Sequence, residues 1–112
     1  MKALSIELPA FERHCREYLD DEGLRALHAA LLEAPTKGDV IEGTGGLRKV
    51  RHADPRRGKG KRGGLRVIYY WWQAGNQFWL FTLYDKGEMS DLTSDERAAL
   101  KTMLNRELEA RT

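Results

Sequence analysis

Two apolar runs lying close together, LRVIYYWW (residues 65–72) and FWLFTLY (residues 78–84), constrain the fold more than any other feature of this chain. They are rich in β-branched and aromatic residues, which favour a pleated, packed surface. QAGNQ (residues 73–77) separates them with turn-forming residues, so the pair predicts an antiparallel hairpin. Neither run alternates cleanly between apolar and polar positions, so both faces of the hairpin are expected to be largely covered. The chain of 112 residues is long enough for one two-layer core, read as a single domain over residues 1–112.

The flanking segments supply the covering elements. Leu4, Ile6 and Leu8 alternate with polar or small residues, the period of a short strand that Pro9 stops. Phe11, Cys15, Tyr18 and Leu19 then repeat at helical spacing. Asp20 and Asp21 can cap a second helix, whose Leu24, Leu27, Leu31 and Leu32 form a stripe ending before Pro35. TKGDVIEGTGG (residues 36–46) reads as a connection, and Leu47 to His52 as a strand with Lys49 and Arg51 on one face. After the hairpin, Asp85-Lys86-Gly87 breaks the strand, Thr93 and Glu96 fit a capping box, and Ala99, Leu100, Met103, Leu104 and Leu108 make a last helical stripe. The order βααβββα predicts an α+β fold: an antiparallel sheet with a helical hairpin on one face, a C-terminal helix, and the other face free to carry chemistry.

Charge is distributed unevenly along this frame. The stretch Arg48–Arg66, RKVRHADPRRGKGKRGGLR, holds nine Lys or Arg against one acid, Asp54, a formal +8 in a chain whose total is +2. Such a block repels itself unless an anion is near, and phosphate is the obvious candidate. Lys49 and Arg51 project from a strand and Arg66 opens the next one, so cations converge on a rigid sheet. Lys86 adds another from a distant part of the sequence.

Other chemistries find little support. Gly58, Gly60 and Gly63 match GxGxxG, but a strand follows where a dinucleotide fold needs a helix. No P-loop and no Gly-x-Ser-x-Gly occur. His14, His28 and His52 are scattered without paired spacing, so no metal site and no cofactor is expected. Cys15 is the sole cysteine, which excludes an internal disulfide and points to a reducing compartment. The N-terminus lacks the apolar run of a signal peptide, and no stretch reaches membrane-spanning length, so a cytoplasmic protein without membrane contact is expected. Trp71, Trp72, Phe78, Trp79 and Phe81 are read as core before base-stacking platforms. Tyr70 is the exception, because it shares strand parity with Arg66 and Ile68.

At GTGGLRKVR, GKGKRGGLRVIYYW and LYDKGEMSDLTSDE the chain resembles the RelE/HigB-like toxins of bacterial type II toxin–antitoxin pairs. The segment GKGKRGGLRVIYY is similar to the signature of the HigB type. The resemblance implies a small RelE-like α+β protein that enters the ribosomal A site and cuts mRNA without a metal, using clustered Lys and Arg. It assigns catalysis to Lys49, Arg51, Arg66 and Lys86, and RNA backbone binding to Lys59, Lys61 and Arg62; the charge of the same glycine-spaced loop adds Arg57 to that grip, and strand parity adds Tyr70 as a candidate RNA contact. It also implies a HigA-like helix-turn-helix antitoxin as partner, with operator DNA reached only through that antitoxin.

Charge rationalises such chemistry. Attack of a ribose 2′-OH on the adjacent phosphate builds negative charge that guanidinium groups at Arg66 and Arg51 would stabilise. Lys49 is the candidate base, and Lys86 could protonate the leaving 5′-oxygen or simply neutralise phosphate; the base and acid assignment stays open. Some relatives place a Tyr shortly after the late basic residue, and here no Tyr follows Tyr84. Two alternatives remain beside the nuclease: a ParE-like toxin acting on DNA gyrase, and a basic antitoxin-binding or RNA-binding module without catalysis.

Overall fold

The computed structural model describes residues 2–53, 64–89 and 91–111. Five strands form one sheet: β1 (Leu4–Glu7), β2 (Asp39–Val40), β3 (Arg48–His52), β4 (Leu65–Trp72) and β5 (Gln77–Asp85). Three helices accompany them, α1 (Pro9–Tyr18), α2 (Asp21–Glu33) and α3 (Ser94–Arg111). The strand order across the sheet is β1-β5-β4-β3-β2. The expected meander β3-β4-β5 is antiparallel, but β1 pairs with β5 in parallel, so the whole sheet is mixed. The chain leaves β1 at one edge, crosses a face as α1 and α2, and re-enters at the far edge. Two-residue β2, inside the segment expected to be a plain connection, makes that re-entry.

Local chemistry accounts for the element ends. Pro9 opens α1, where a missing N–H costs nothing. The Asp20 carboxylate accepts from the Gly23 N–H at 2.8 Å at the start of α2. The capping box forms as the sequence suggests: Thr93 N–H donates to Glu96 Oε1 at 2.8 Å, and Glu96 N–H to Thr93 Oγ1 at 3.1 Å. The β4–β5 turn is a short 3-10 segment, Gln73–Gly75, closed by Asn76 at φ 50°. Gly75 is required there, since a Cβ would lie 2.2 Å from the Trp72 ring.

Both faces of the sheet are packed. On the first, Phe11 and Cys15 of α1 and Leu27 and Leu31 of α2 bury against Val67, Tyr69 and Leu80. On the second, Leu100 and Leu104 of α3 bury against Ile68, Trp79 and Phe81. This corrects the expectation of a free second face. α3 covers the end of that face near the β4–β5 turn, where the aromatics lie; at the other end Tyr84 and Leu92 still join that core, but Arg51 and Arg66 themselves do not. Of the aromatics expected in the core, Trp79, Phe78 and Phe81 are fully buried, whereas Trp71 and Trp72 are half-buried against the first and second cores.

A β-bulge decides what reaches the second face. Pairing runs Tyr69↔Leu80 on one side of the irregularity and Ile68↔Thr82 on the other, so β5 holds one extra residue, Phe81. Without it, strict alternation would put Tyr84 on the face of Phe78 and Leu80. With it, Tyr84 is the cross-strand partner of Arg66 and packs in the second core, while Leu83 joins the first.

Candidate active site

The register of β3 against β4 aligns the cations. Lys49 sits opposite Ile68 and Arg51 opposite Arg66, so all three side chains share the second face. Val50 between them turns to the first core. Lys86 arrives from the end of β5 through a held turn. Its N–H donates to the Gly64 carbonyl at 3.2 Å, which ties it to the start of β4. Behind it, buried Asp85 accepts from Gly87 N–H through Oδ1 at 2.6 Å, and its carbonyl accepts from the N–H groups of Glu88 and Met89. Lys49, Arg51, Arg66 and Lys86 thus line one cleft of about 300 Å³.

Two further side chains line the same cleft, Lys37 and Asp39. The sequence placed both in a connection. They are held there from the first face of the sheet. Tyr69 O–H donates to the Pro35 carbonyl at 2.8 Å and accepts from Gly38 N–H at 3.1 Å. Burial raises the Tyr69 pKa above its ordinary value, so the phenol stays a donor. Arg48 Nη1 donates to the carbonyls of Thr36 at 3.2 Å and Gly38 at 2.8 Å. Arg48, one of the nine cations of the basic stretch, is therefore a clamp. Gly38 admits no other residue cheaply, because a Cβ would lie 2.9 Å from the Lys49 carbonyl oxygen.

The cations differ in what engages them. Arg66 is only 4% exposed, and its Nη1 donates to the Leu65 carbonyl at 3.2 Å. A guanidinium held in so little water is pre-positioned, and anything it binds feels a weakly screened charge. Directly opposite stands Arg51, and like charges in cross-strand register are unfavourable by themselves. Lys49 Nζ meets Asp91 Oδ1 at 3.3 Å, and Asp91 Oδ2 meets Arg97 Nη2 at 3.4 Å. The Asp91 pKa lies below the usual carboxylate value, first because its carboxylate accepts from the Leu92 N–H and then because of Lys49 and Arg97. Among the described residues, Lys37, Arg51 and Lys86 have neither a side-chain hydrogen bond nor an ion pair.

The remaining sequence candidates fall elsewhere. Tyr70 is on the second face but outside the cleft, packed against Trp79 with ring centroids 5.3 Å apart. Arg57, Lys59, Lys61 and Arg62 lie outside the described residues. His14 pairs with Glu17, and His28 with the Ser5 hydroxyl, so neither is at the cleft. Sequence reasoning missed Lys37, Asp39, Asp91 and Tyr84. No periodicity marks the first three, and only the bulge places Tyr84.

The cleft can therefore grip an anion from several sides and stabilise added negative charge without moving its groups. No family model matches the sequence. Among solved structures the chain is similar to a mutant of the E. coli toxin RelE in its free state. The TM-score is 0.55 at 13% identity, and the match covers 80% of this chain and 90% of that one. The chain has the RelE-like α+β fold that its motifs suggest.

Proposed function

We propose that this protein is the toxin of a type II toxin–antitoxin pair, a ribosome-dependent endoribonuclease that cuts mRNA in the A site and arrests translation without a metal. One observation carries the reading. Four cations from three strands or strand ends, Lys49, Arg51, Arg66 and Lys86, meet in one cleft, with Arg51 and Arg66 directly opposite each other in the β3–β4 register. The RelE-like fold supports the same class of activity. A helix-turn-helix antitoxin is the proposed partner, and the cytoplasm the proposed place of action.

In this mechanism Arg66 and Arg51 hold the scissile phosphate and stabilise the pentacoordinate state, whose equatorial oxygens carry extra negative charge. The 2′-OH gives up its proton as its oxygen attacks phosphorus, and the 5′-oxygen leaves with a proton. Lys49 and Lys86 flank the phosphate for these transfers. Lys49 must first exchange Asp91 for the substrate, since the ion pair occupies its ammonium in the free protein.

The test is induction of the wild-type protein and of Arg66→Ala, with transcripts mapped by primer extension. Wild type should leave cut, translated mRNA, and Arg66→Ala should lower the cleavage rate about 100-fold or more, with Arg66→Lys as a variant that keeps the buried charge. Intact mRNA under wild-type induction refutes the nuclease reading. Trapped, cleaved DNA beside intact mRNA would point to gyrase instead.

A further inference from the structure

Among the described residues, Asp39 is the one carboxylate lining a cleft otherwise charged by lysines and arginines. It stands directly across from Lys49 in the β2–β3 pairing, the obvious place for an ion pair. Yet Lys49 turns to Asp91 instead, and the Asp39 carboxylate makes no hydrogen bond or ion pair among the described residues. Its position is nonetheless rigid, because four hydrogen bonds from Tyr69 and Arg48 fasten residues 35–38, and Gly38 fits tightly against the Lys49 backbone. Lys37, two residues earlier, lines the same cleft from the same held arm.

A carboxylate repels phosphate, so the part of a nucleotide that suits Asp39 when the cleft is filled is a neutral hydrogen-bond donor. The Watson–Crick edge of guanine offers two adjacent N–H donors, N1–H and N2–H, matched to the two oxygens of one carboxylate. Adenine, cytosine and uracil each present an acceptor beside their donor, and would set one lone pair against another. We propose that Asp39 reads guanine next to the phosphate held by the cationic cleft, with Lys37 gripping the neighbouring phosphate. The inference rests on the reading of the cleft as an RNA site. It adds a base preference that the cations cannot supply, since phosphate contacts position a strand without reading its sequence.

Binding to RNA that cannot be cut separates this proposal from the nuclease reading. The probes are fluorescent all-2′-O-methyl adenine hexamers carrying a single guanine or a single inosine, which lacks only the N2 amino group, measured by anisotropy. Wild type should bind the guanine hexamer about tenfold more tightly. Asp39→Asn, an exposed substitution of equal size, should bring the two within about twofold, and Lys37→Ala should weaken both alike. Equal binding of the two hexamers by wild type, or a preference that survives in Asp39→Asn, overturns the proposal. So does tighter binding of both by Asp39→Asn with the preference unchanged, which would make Asp39 a mere repulsive charge. A protein that prefers guanine here yet leaves mRNA whole on induction would lose the nuclease reading and keep Asp39. One that cuts mRNA but ignores the amino group would do the reverse.

Discussion

At the scale of single residues, burial sets the behaviour of the groups around the site. The Tyr84 hydroxyl is buried and has no hydrogen-bond partner among the described residues, and burial is the first cause of its raised pKa. An orphaned buried donor costs about 1–3 kcal/mol. Tyr84→Phe should therefore stabilise the protein by about 1 kcal/mol, read as a higher urea midpoint with an unchanged slope. Asp91 behaves oppositely. Its depressed pKa means that its contribution is full above the ordinary carboxylate value and is lost as pH falls through the depressed one. Asp91→Asn should cost less than about 1 kcal/mol at neutral pH, because the pair is half exposed, and the difference from wild type should vanish at low pH in acid unfolding curves. Cys15 is 2% exposed, and burial raises its thiol pKa, with Glu7 adding to the effect. A thiol reagent at pH 8 should label Cys15 only as fast as the chain opens, and urea should accelerate the reaction sharply.

At the scale of elements, two devices place the chemistry. The first is the bulge at Phe81, which re-aims the end of β5. The second is α3, which covers the aromatic end of the second face and, through Arg97 and the preceding Asp91, reaches Lys49. Leu104 anchors it, fully buried. Leu104→Ala should cost about 2–5 kcal/mol in chemical denaturation. Thr93→Ala, which breaks the capping box at an exposed helix start, should cost only about 1 kcal/mol. The contrast between the two separates packing from capping as the reason α3 holds.

At the scale of the molecule, a net charge of +2 conceals a strong polarity, since one stretch carries +8. Binding of RNA should be governed by that local charge. If five cleft cations neutralise about four or five phosphates between them, log affinity should fall against log salt with a slope of about −3 to −3.5, measured by anisotropy with a single-stranded probe. Removing Lys37 should flatten the slope by about 0.7, whereas Asp39→Asn should not flatten it and should remove the base preference.

What the sequence by itself determined was whatever depends on local pattern. The runs at 65–72 and 78–84 are strands because their residues suit nothing else in water, and the Thr93–Glu96 box starts α3 because it satisfies its own backbone. Parity within five-residue β3 put Lys49 and Arg51 on one face, and the tertiary pairing brought Arg66 and Lys86 to them. Tertiary structure alone decided the parallel edge at β1, the cover that α3 gives the second face, and the presence of Lys37 and Asp39 at the cleft. Arg48, counted with the basic block, became a clamp for the same reason. Each of these turns on which distant strand lies alongside and whether a bulge shifts the alternation, and strand pairing joins residues that no period along the chain connects.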